Sequence, residues 1–291
     1  MGVIEFADNL EVLRGIESES IPLIYIDPPF NTGRTQSRTR LETVRDDAGD
    51  RTGFGGHRYR TIAGDTRSFG DSFDDYLEFL APRLEEARRV LRPDGSFFLH
   101  VDPRESHYCK VLLDEIFGRD SFMNEIIWAY DFGGRSPRRW PAKHDTILWY
   151  AKNPKDYTFH RDAADRIPYM APGLVSPEKR ARGKNPTDTW WHTIVPTSGK
   201  ERTGYPTQKP EGILRRIIGV HSNAGEVVLD FFAGSGTTGA VAAAMDRDFI
   251  LVDDNPEAIE IMRVRLAASE PEIRGLPSEA PPSSGPSNPI R

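Results

Sequence analysis

The sequence predicts a doubly wound, mostly parallel α/β fold with an inserted region. Three observations predict it. Short apolar runs such as Ile21-Pro-Leu-Ile-Tyr-Ile26 read as strands buried on both faces, as in parallel sheets. Stretches with helical spacing alternate with these runs. A glycine-rich segment, Phe232-Ala-Gly-Ser-Gly-Thr-Thr-Gly239, directly follows one run and opens a helical stretch. The 291 residues suffice for one large domain of this kind.

Composition narrows the class further. Apolar residues make up 37% and charged residues 28%, an ordinary globular profile. No run of about 18 apolar residues exists, which excludes a transmembrane helix. The opening Met1-Gly-Val-Ile-Glu-Phe lacks a basic stretch before an apolar core, so the cytoplasm is expected. The single cysteine, Cys109, excludes an intramolecular disulfide and a Cys-rich zinc site, and no metal is expected. Net charge is −6. An acidic sum does not exclude a polyanionic partner, because local basic patches decide that.

The elements follow in order. Asn9 to Ile16 reads as a short helix and Ile21–Ile26 as the first buried strand, ended by Asp27-Pro28-Pro29. Residues 34–70 have no sustained period. Between Arg34 and Arg67 lie eight Arg and five acidic residues, a local surplus of +3. A mobile, Arg-rich loop is expected there. Tyr76 to Leu91 has helical spacing, with Pro82 as a candidate helix start. Pro93-Asp94-Gly95 reads as a turn, Ser96 to Val101 as a buried strand, and Tyr108 to Phe117 as a helix that buries Cys109.

From 128 to 205 the rhythm is lost. Ile147-Leu-Trp-Tyr150 reads as a strand amid Arg, Lys and all five tryptophans, at 128, 140, 149, 190 and 191. The tryptophans favour packing over ligand contact. The span is expected to form a partly separate region. The α/β rhythm then returns with a helix near 210–221, a strand at 226–231, a helix near 236–246, a strand at 249–252 and a helix at 256–268. The segment 269–291 is rich in Pro, Ser and Gly and is expected to be disordered. Residues 1–127 and 206–268 thus form two halves of one domain around the 128–205 span.

Two constellations carry chemistry. Gly234, Gly236 and Gly239 satisfy G-x-G-x-x-G between a strand and a helix, where glycines permit a tight turn and close ligand approach. Asp253 ends the next strand, 19 residues after Gly234, and a carboxylate there suits ribose hydroxyls. This pattern fits an adenosine-containing ligand, without separating a dinucleotide from S-adenosylmethionine. Asp27-Pro28-Pro29-Phe30 closes a buried strand where open α/β sheets place ligands. The prolines remove N–H donors, so carbonyls are presented beside the Asp27 carboxylate. Paired acceptors suit an NH₂ group, and Phe30 suits a planar ring. His100 and Asp102 end the next strand and face the same crevice or serve only as packing and cap.

Together these motifs resemble amino-group DNA methyltransferases, which modify adenine N6 or cytosine N4. The order, Asp-Pro-Pro-Phe early and Phe-Ala-Gly-Ser-Gly late, resembles the β group of that family. Ile24-Tyr-Ile-Asp-Pro-Pro-Phe-Asn-Thr-Gly33 and Gly204-Tyr-Pro-Thr-Gln-Lys-Pro210 are similar to adenine-specific enzymes, including type III modification subunits. The resemblance implies a Rossmann-like methyltransferase sheet. It implies that Asp27, with Pro28, Pro29 and Phe30, holds the target base, which is flipped from the duplex. It implies that Asp230, Phe232, Gly234, Gly236 and Asp253 hold S-adenosylmethionine, with Thr207, Gln208 and Lys209 closing over its methionine end. Adenine is favoured because Ser often replaces the Asp in cytosine-N4 enzymes, which remain the alternative. Double-stranded DNA is the implied partner, with Arg135, Arg138, Arg139 and Lys143 as its basic contacts. A homodimer and a cognate restriction or defence subunit are compatible with the resemblance; a membrane is not implied.

Overall fold

The computed structural model describes residues 1–30, 36–45, 51–52, 58–69 and 76–276. A nine-stranded sheet organises them. Its strands are β1 (Gly2–Phe6), β2 (Ile21–Ile26), β6 (Leu91–Val101), β7 (Phe122–Ala129), β8 (His144–Ala151), β9 (Thr189–Trp191), β10 (Val227–Asp230), β11 (Asp248–Asp253) and β12 (Glu272–Arg274). They lie in the order β12-β1-β11-β10-β2-β6-β8-β7-β9. Only the β6–β8 and β8–β7 pairs are antiparallel. The mostly parallel α/β expectation therefore holds.

Helices cover both faces. On one side α1 (Asn9–Gly15), α2 (Tyr76–Val90) and α3 (Ser106–Phe117) pack around Leu13, Leu80, Leu84, Leu113 and Phe97. On the other, α5 (Glu211–His221), α6 (Thr237–Ala244) and α7 (Pro256–Arg265) pack around Ile213, Ile217, Val241, Met262 and Phe98. A short helix, α4 (Pro177–Arg182), lies in the span between β8 and β9. β2 is buried at every residue, as its unbroken apolar run requires. Among the described residues no helix is long and apolar enough to cross a membrane.

The structure departs from the sequence expectations at several points. Residues 36–45, 51–52 and 58–69 are not a featureless loop but β3 (Gln36–Arg45), β4 (Arg51–Thr52) and β5 (Arg58–Phe69), a separate antiparallel sheet. The rest of that expected mobile loop, residues 34–35, 46–50, 53–57 and 70, lies outside the described residues, as do 31–33 and 71–75. Pro82 does not start α2 but sits inside it. It removes one helical N–H, while Tyr76, Leu80, Leu84 and Ala87 bury a continuous stripe that outweighs the loss. The Pro93-Asp94-Gly95 turn is an excursion within β6: Ile21 faces Leu91 and Leu23 faces Ser96, so four residues oppose one. There a Cβ on Gly95 would lie 2.8 Å from the Pro22 carbonyl oxygen.

Residues 128–205 are not set apart from the sheet. β8, β9 and the end of β7 extend it, and antiparallel addition breaks the strand–helix rhythm without breaking the sheet. Three tryptophans, Trp128, Trp149 and Trp190, are buried, in line with packing. Part of the expected disordered tail is ordered, since Glu272–Arg274 pairs with β1; residues 277–291 lie outside the described residues.

Candidate active site

β10 and β2 are neighbours, yet residues 27–226 separate them in sequence. From β2 the chain proceeds to β6 on one side; from β10 it proceeds to β11 on the other. The crevice between them is the point where the winding direction reverses, the place where open α/β sheets bind ligands. Asp27-Pro28-Pro29-Phe30 and the glycine-rich turn thus open side by side, around a cavity of about 420 Å³.

Of the expected residues, Asp27, Pro28, Pro29, Phe30, Asp230, Phe232, Gly234, Asp253, Thr207 and Lys209 all line this cavity. Gly236 and Gln208 do not. Gly236 has φ +70° at the start of α6, and a Cβ there would lie 2.7 Å from Met262 Cγ. Its role is a left-handed turn under close packing. Gln208 accepts from Thr203 N at 2.8 Å and donates to the Glu201 carbonyl at 2.6 Å, so it braces its own loop.

The glycine turn is held by two carboxylates. Asp253 accepts from Gly234 N at 2.8 Å and from Asn255 N at 2.9 Å. Asp230 accepts from Phe232 N at 3.0 Å and from Thr238 Oγ1 at 2.6 Å. Burial pushes both pKa values up, to about 7 for Asp230 and about 6 for Asp253, with their hydrogen bonds opposing the rise. Each carboxylate oxygen retains a lone pair for a further donor.

At the other end of the cavity, Lys209 Nζ donates to Asp27 Oδ2 at 2.5 Å, and the same ammonium lies 4.5 Å from the centre of the Phe30 ring. Asp27 Oδ1 is buried and has no partner. The Lys209 backbone is pinned, because its carbonyl accepts from Thr237 Oγ1 at 3.1 Å. Lys209 thus sits against Asp27 and Phe30 themselves.

His100 does not line this crevice but packs, fully buried, behind Phe30 and Tyr25, which do. Its ring lies 5.9 Å from Phe30, bonded to Tyr25 Oη at 2.7 Å and to Asp145 Oδ2 at 3.2 Å. Asp145 also accepts from Tyr130 Oη at 3.0 Å. Burial would raise the Asp145 pKa, but His100, Lys209 and Tyr130 outweigh it and hold the carboxylate below its ordinary range. Asp102 is occupied locally, accepting from Arg104 N at 2.9 Å. Cys109 is buried, and desolvation pushes its thiol up to about 12, so it is unreactive.

Residues 21–264 match the N6_N4_Mtase family, described as DNA methylase. The chain belongs to this DNA methylase family. The methylase is 33% identical over 272 residues to the type II methyltransferase M.HpaI of Haemophilus parainfluenzae, covering 94% of this chain and 75% of that protein. It is 30% identical over 267 residues to the DNA adenine methyltransferase YhdJ of Escherichia coli (strain K12), covering 89% and 80%. Its fold is similar to that of the solved PvuII DNA methyltransferase (cytosine-N4-specific), with TM-score 0.64, 17% identity and coverage of 91% and 86%.

The methylase cavity is also lined by residues that the motifs did not single out: Asn9, Tyr25, Phe79, Arg83 and Tyr205. Arg83 links them, donating to Asn9 Oδ1 at 2.6 Å and lying 3.9 Å from the Phe79 ring. Tyr205, beside Thr207-Gln208-Lys209, was within reach of a motif reading; Arg83 and Phe79 lie on an ordinary amphipathic helix and carry no local signal. Arg135, Arg138 and Arg139 are outside the cavity. They are not distant in the fold, however. Val101 pairs with Thr146, and Ala129 with His144, so the 130–143 connection leaves the sheet at the edge where Asp27 lies. Lys143 Nζ donates to the Gly133 carbonyl at 2.8 Å and braces that connection, whose Trp140 is 96% exposed.

Proposed function

We propose that the protein methylates the N6 amino group of adenine at specific sites in double-stranded DNA, on a base flipped out of the duplex. The observation that carries this reading is the unpartnered, buried Asp27 Oδ1 beside Phe30, at the cavity that Asp253 and the glycine turn share. A buried carboxylate oxygen without a donor is costly, about 1–3 kcal/mol, and an amine N–H supplies the missing donor.

The cavity residues fit S-adenosylmethionine. Asp253 presents acceptors toward ribose hydroxyls, and Phe232 presents a ring to an adenine. At Gly234, φ is +50° and a Cβ would come within 3.1 Å of Tyr205, so the backbone is open on that side only to a side-chain-free residue. When bound, S-adenosylmethionine supplies an electrophilic methyl group on sulfonium sulfur.

The residues around Asp27 do the rest. An exocyclic amine is a weak nucleophile because its lone pair is delocalised into the ring. Asp27 and the Pro28 carbonyl accept hydrogen bonds from its two N–H groups and favour the pyramidal form, which frees the lone pair. Phe30 holds the ring by stacking, and Tyr25, His100 and Asp145 form the buried polar floor behind it. Lys209 gives up Asp27 as the amine arrives, since a cation there would oppose the positive charge developing on nitrogen. Positioning supplies much of the rate. The 130–143 connection, with Arg135, Arg138, Arg139 and Lys143, holds the duplex by its phosphates.

Support for adenine over cytosine comes from Asp at position 27 and from the similarity to an adenine methyltransferase. The fold alone serves a cytosine-N4 enzyme equally well. Long-read sequencing of DNA from cells that express the protein tests the reading: modified adenine at one recurrent motif is expected. Modified cytosine, or no modification, would overturn it.

A further inference from the structure

Trp140 stands out among the tryptophans. Trp128, Trp149 and Trp190 are buried, whereas its indole is 96% exposed. Phe132, on the same connection between β7 and β8, is exposed too. One exposed apolar side chain is ordinary; two large aromatics beside three exposed arginines on one short connection are an interaction surface. Arg135, Arg138 and Arg139 are those arginines, and among the described residues no carboxylate pairs with them. Pro137 and Pro141 frame the Arg138-Arg139-Trp140 triplet and restrict its backbone.

The base of this connection is anchored behind the active site. Tyr130 N donates to the Lys143 carbonyl at 3.0 Å and closes the connection there. The Tyr130 ring lies 5.0 Å from Trp128, Trp128 lies 5.5 Å from His100, and His100 lies 5.9 Å from Phe30. Trp140 is three residues from Lys143, so its Cα stands within about 11 Å of the Lys143 Cα. A free stacking ring and three unpaired cations therefore stand at the sheet edge that carries Asp27 and Phe30.

A base that leaves a duplex opens a gap in the stack, and closure of that gap draws the base back. A flat apolar side chain inserted there holds the gap open. We propose that Trp140 is that side chain: its indole enters the stack beside the flipped base, while Arg135, Arg138 and Arg139 hold the flanking phosphates. Indole suits the task because every base has a π-face, so its stacking tolerates any flanking sequence. Charge complementarity selects DNA as the occupant of this surface. Trp140 keeps the substrate open and takes no part in bond making; this role rests on the flipped-base reading at Asp27 and Phe30.

The test uses the full chain saturated with S-adenosylhomocysteine. Sheared, unmodified genomic duplex is titrated into the wild-type protein, Trp140→Leu and Trp140→Phe while tryptophan emission is followed. Saturable quenching is expected for the wild type and its loss for Trp140→Leu, with Tm unchanged because the side chain is exposed. With S-adenosylmethionine, Trp140→Leu is expected to lower kcat on duplex DNA at least tenfold at unchanged KM for S-adenosylmethionine, and Trp140→Phe to restore most of the rate. A duplex whose target adenine is mispaired has less stacking to break, so it should bring Trp140→Leu within about threefold of the wild type and leave Asp27→Ala inactive. Equal quenching of wild type and Trp140→Leu, or equal deficits on paired and mispaired targets, would overturn the proposal. Quenching at Trp140 without any methyl transfer would instead overturn the methylation reading and uphold the contact with DNA.

Discussion

At Asp27 one carboxylate oxygen is held by Lys209 and the other has no partner. Asp27→Ala is expected to abolish methyl transfer while S-adenosylmethionine binding stays within a few-fold, measured by tritiated methyl incorporation and calorimetry. Near wild-type transfer would refute the assignment. Lys209→Met leaves the part-buried Asp27 carboxylate uncompensated. It is expected to destabilise the ligand-free protein by about 1–3 kcal/mol, and Asp27→Asn in the same chain should recover part of that loss. Additive losses in denaturant melts would contradict the pairing. At Asp253 the pKa of about 6 lies above the ordinary carboxylate value. The ionised form is the better acceptor for ribose, so S-adenosylmethionine affinity should rise as pH increases from 5 to 7, and Asp253→Asn should flatten that rise. In the ligand-free protein the sign is opposite. Asp230 and Asp253 both have raised pKa values when folded, so the stability they contribute is present below about pH 4 and is lost as pH rises through about 6 to 7. Asp27 and Asp253 were legible from their motifs. The Lys209–Asp27 contact was not, because it joins segments 182 residues apart.

Among the elements, those with strong local signals were legible: β2, β10 and β11 as apolar runs, and α5 by its helical spacing. β7, β9 and β12 were not. Their pairing is decided by neighbours in the sheet, and three-residue strands such as β9 and β12 carry no period. The β3–β5–β4 sheet was missed for a related reason, since Arg- and Thr-rich strands show no apolar alternation. The glycine fingerprint was legible as a turn, but its three glycines divide into different roles. Gly234 lines the cavity, whereas Gly236 and Gly239 allow α6 to approach Met262 and Leu251. Gly236→Ala is therefore expected to act on stability, costing about 1–3 kcal/mol through the left-handed backbone and the close approach to Met262. A shift in the denaturation midpoint checks it. An unchanged midpoint would show that the turn relaxes freely.

Across the whole molecule, an acidic protein has to attract a polyanion locally. The 130–143 connection brings Arg135, Arg138 and Arg139 to the edge of the sheet where Asp27 lies. Their simultaneous replacement by Ala should weaken DNA binding and flatten the slope of log affinity against log salt by about 0.9 for each phosphate no longer neutralised. An unchanged slope would place the DNA surface elsewhere. The proposed mechanism requires both halves of the crevice at once: a base amine on Asp27 and a methyl donor over the glycine turn. The decisive measurement incubates unmodified duplex DNA with the protein and S-adenosylmethionine, then identifies the digested nucleosides by mass spectrometry, with Asp27→Ala in parallel. N6-methyldeoxyadenosine is expected with the wild-type protein and none with the variant. N4-methyldeoxycytidine, no methylated nucleoside, or equal yields from both proteins would contradict this mechanism.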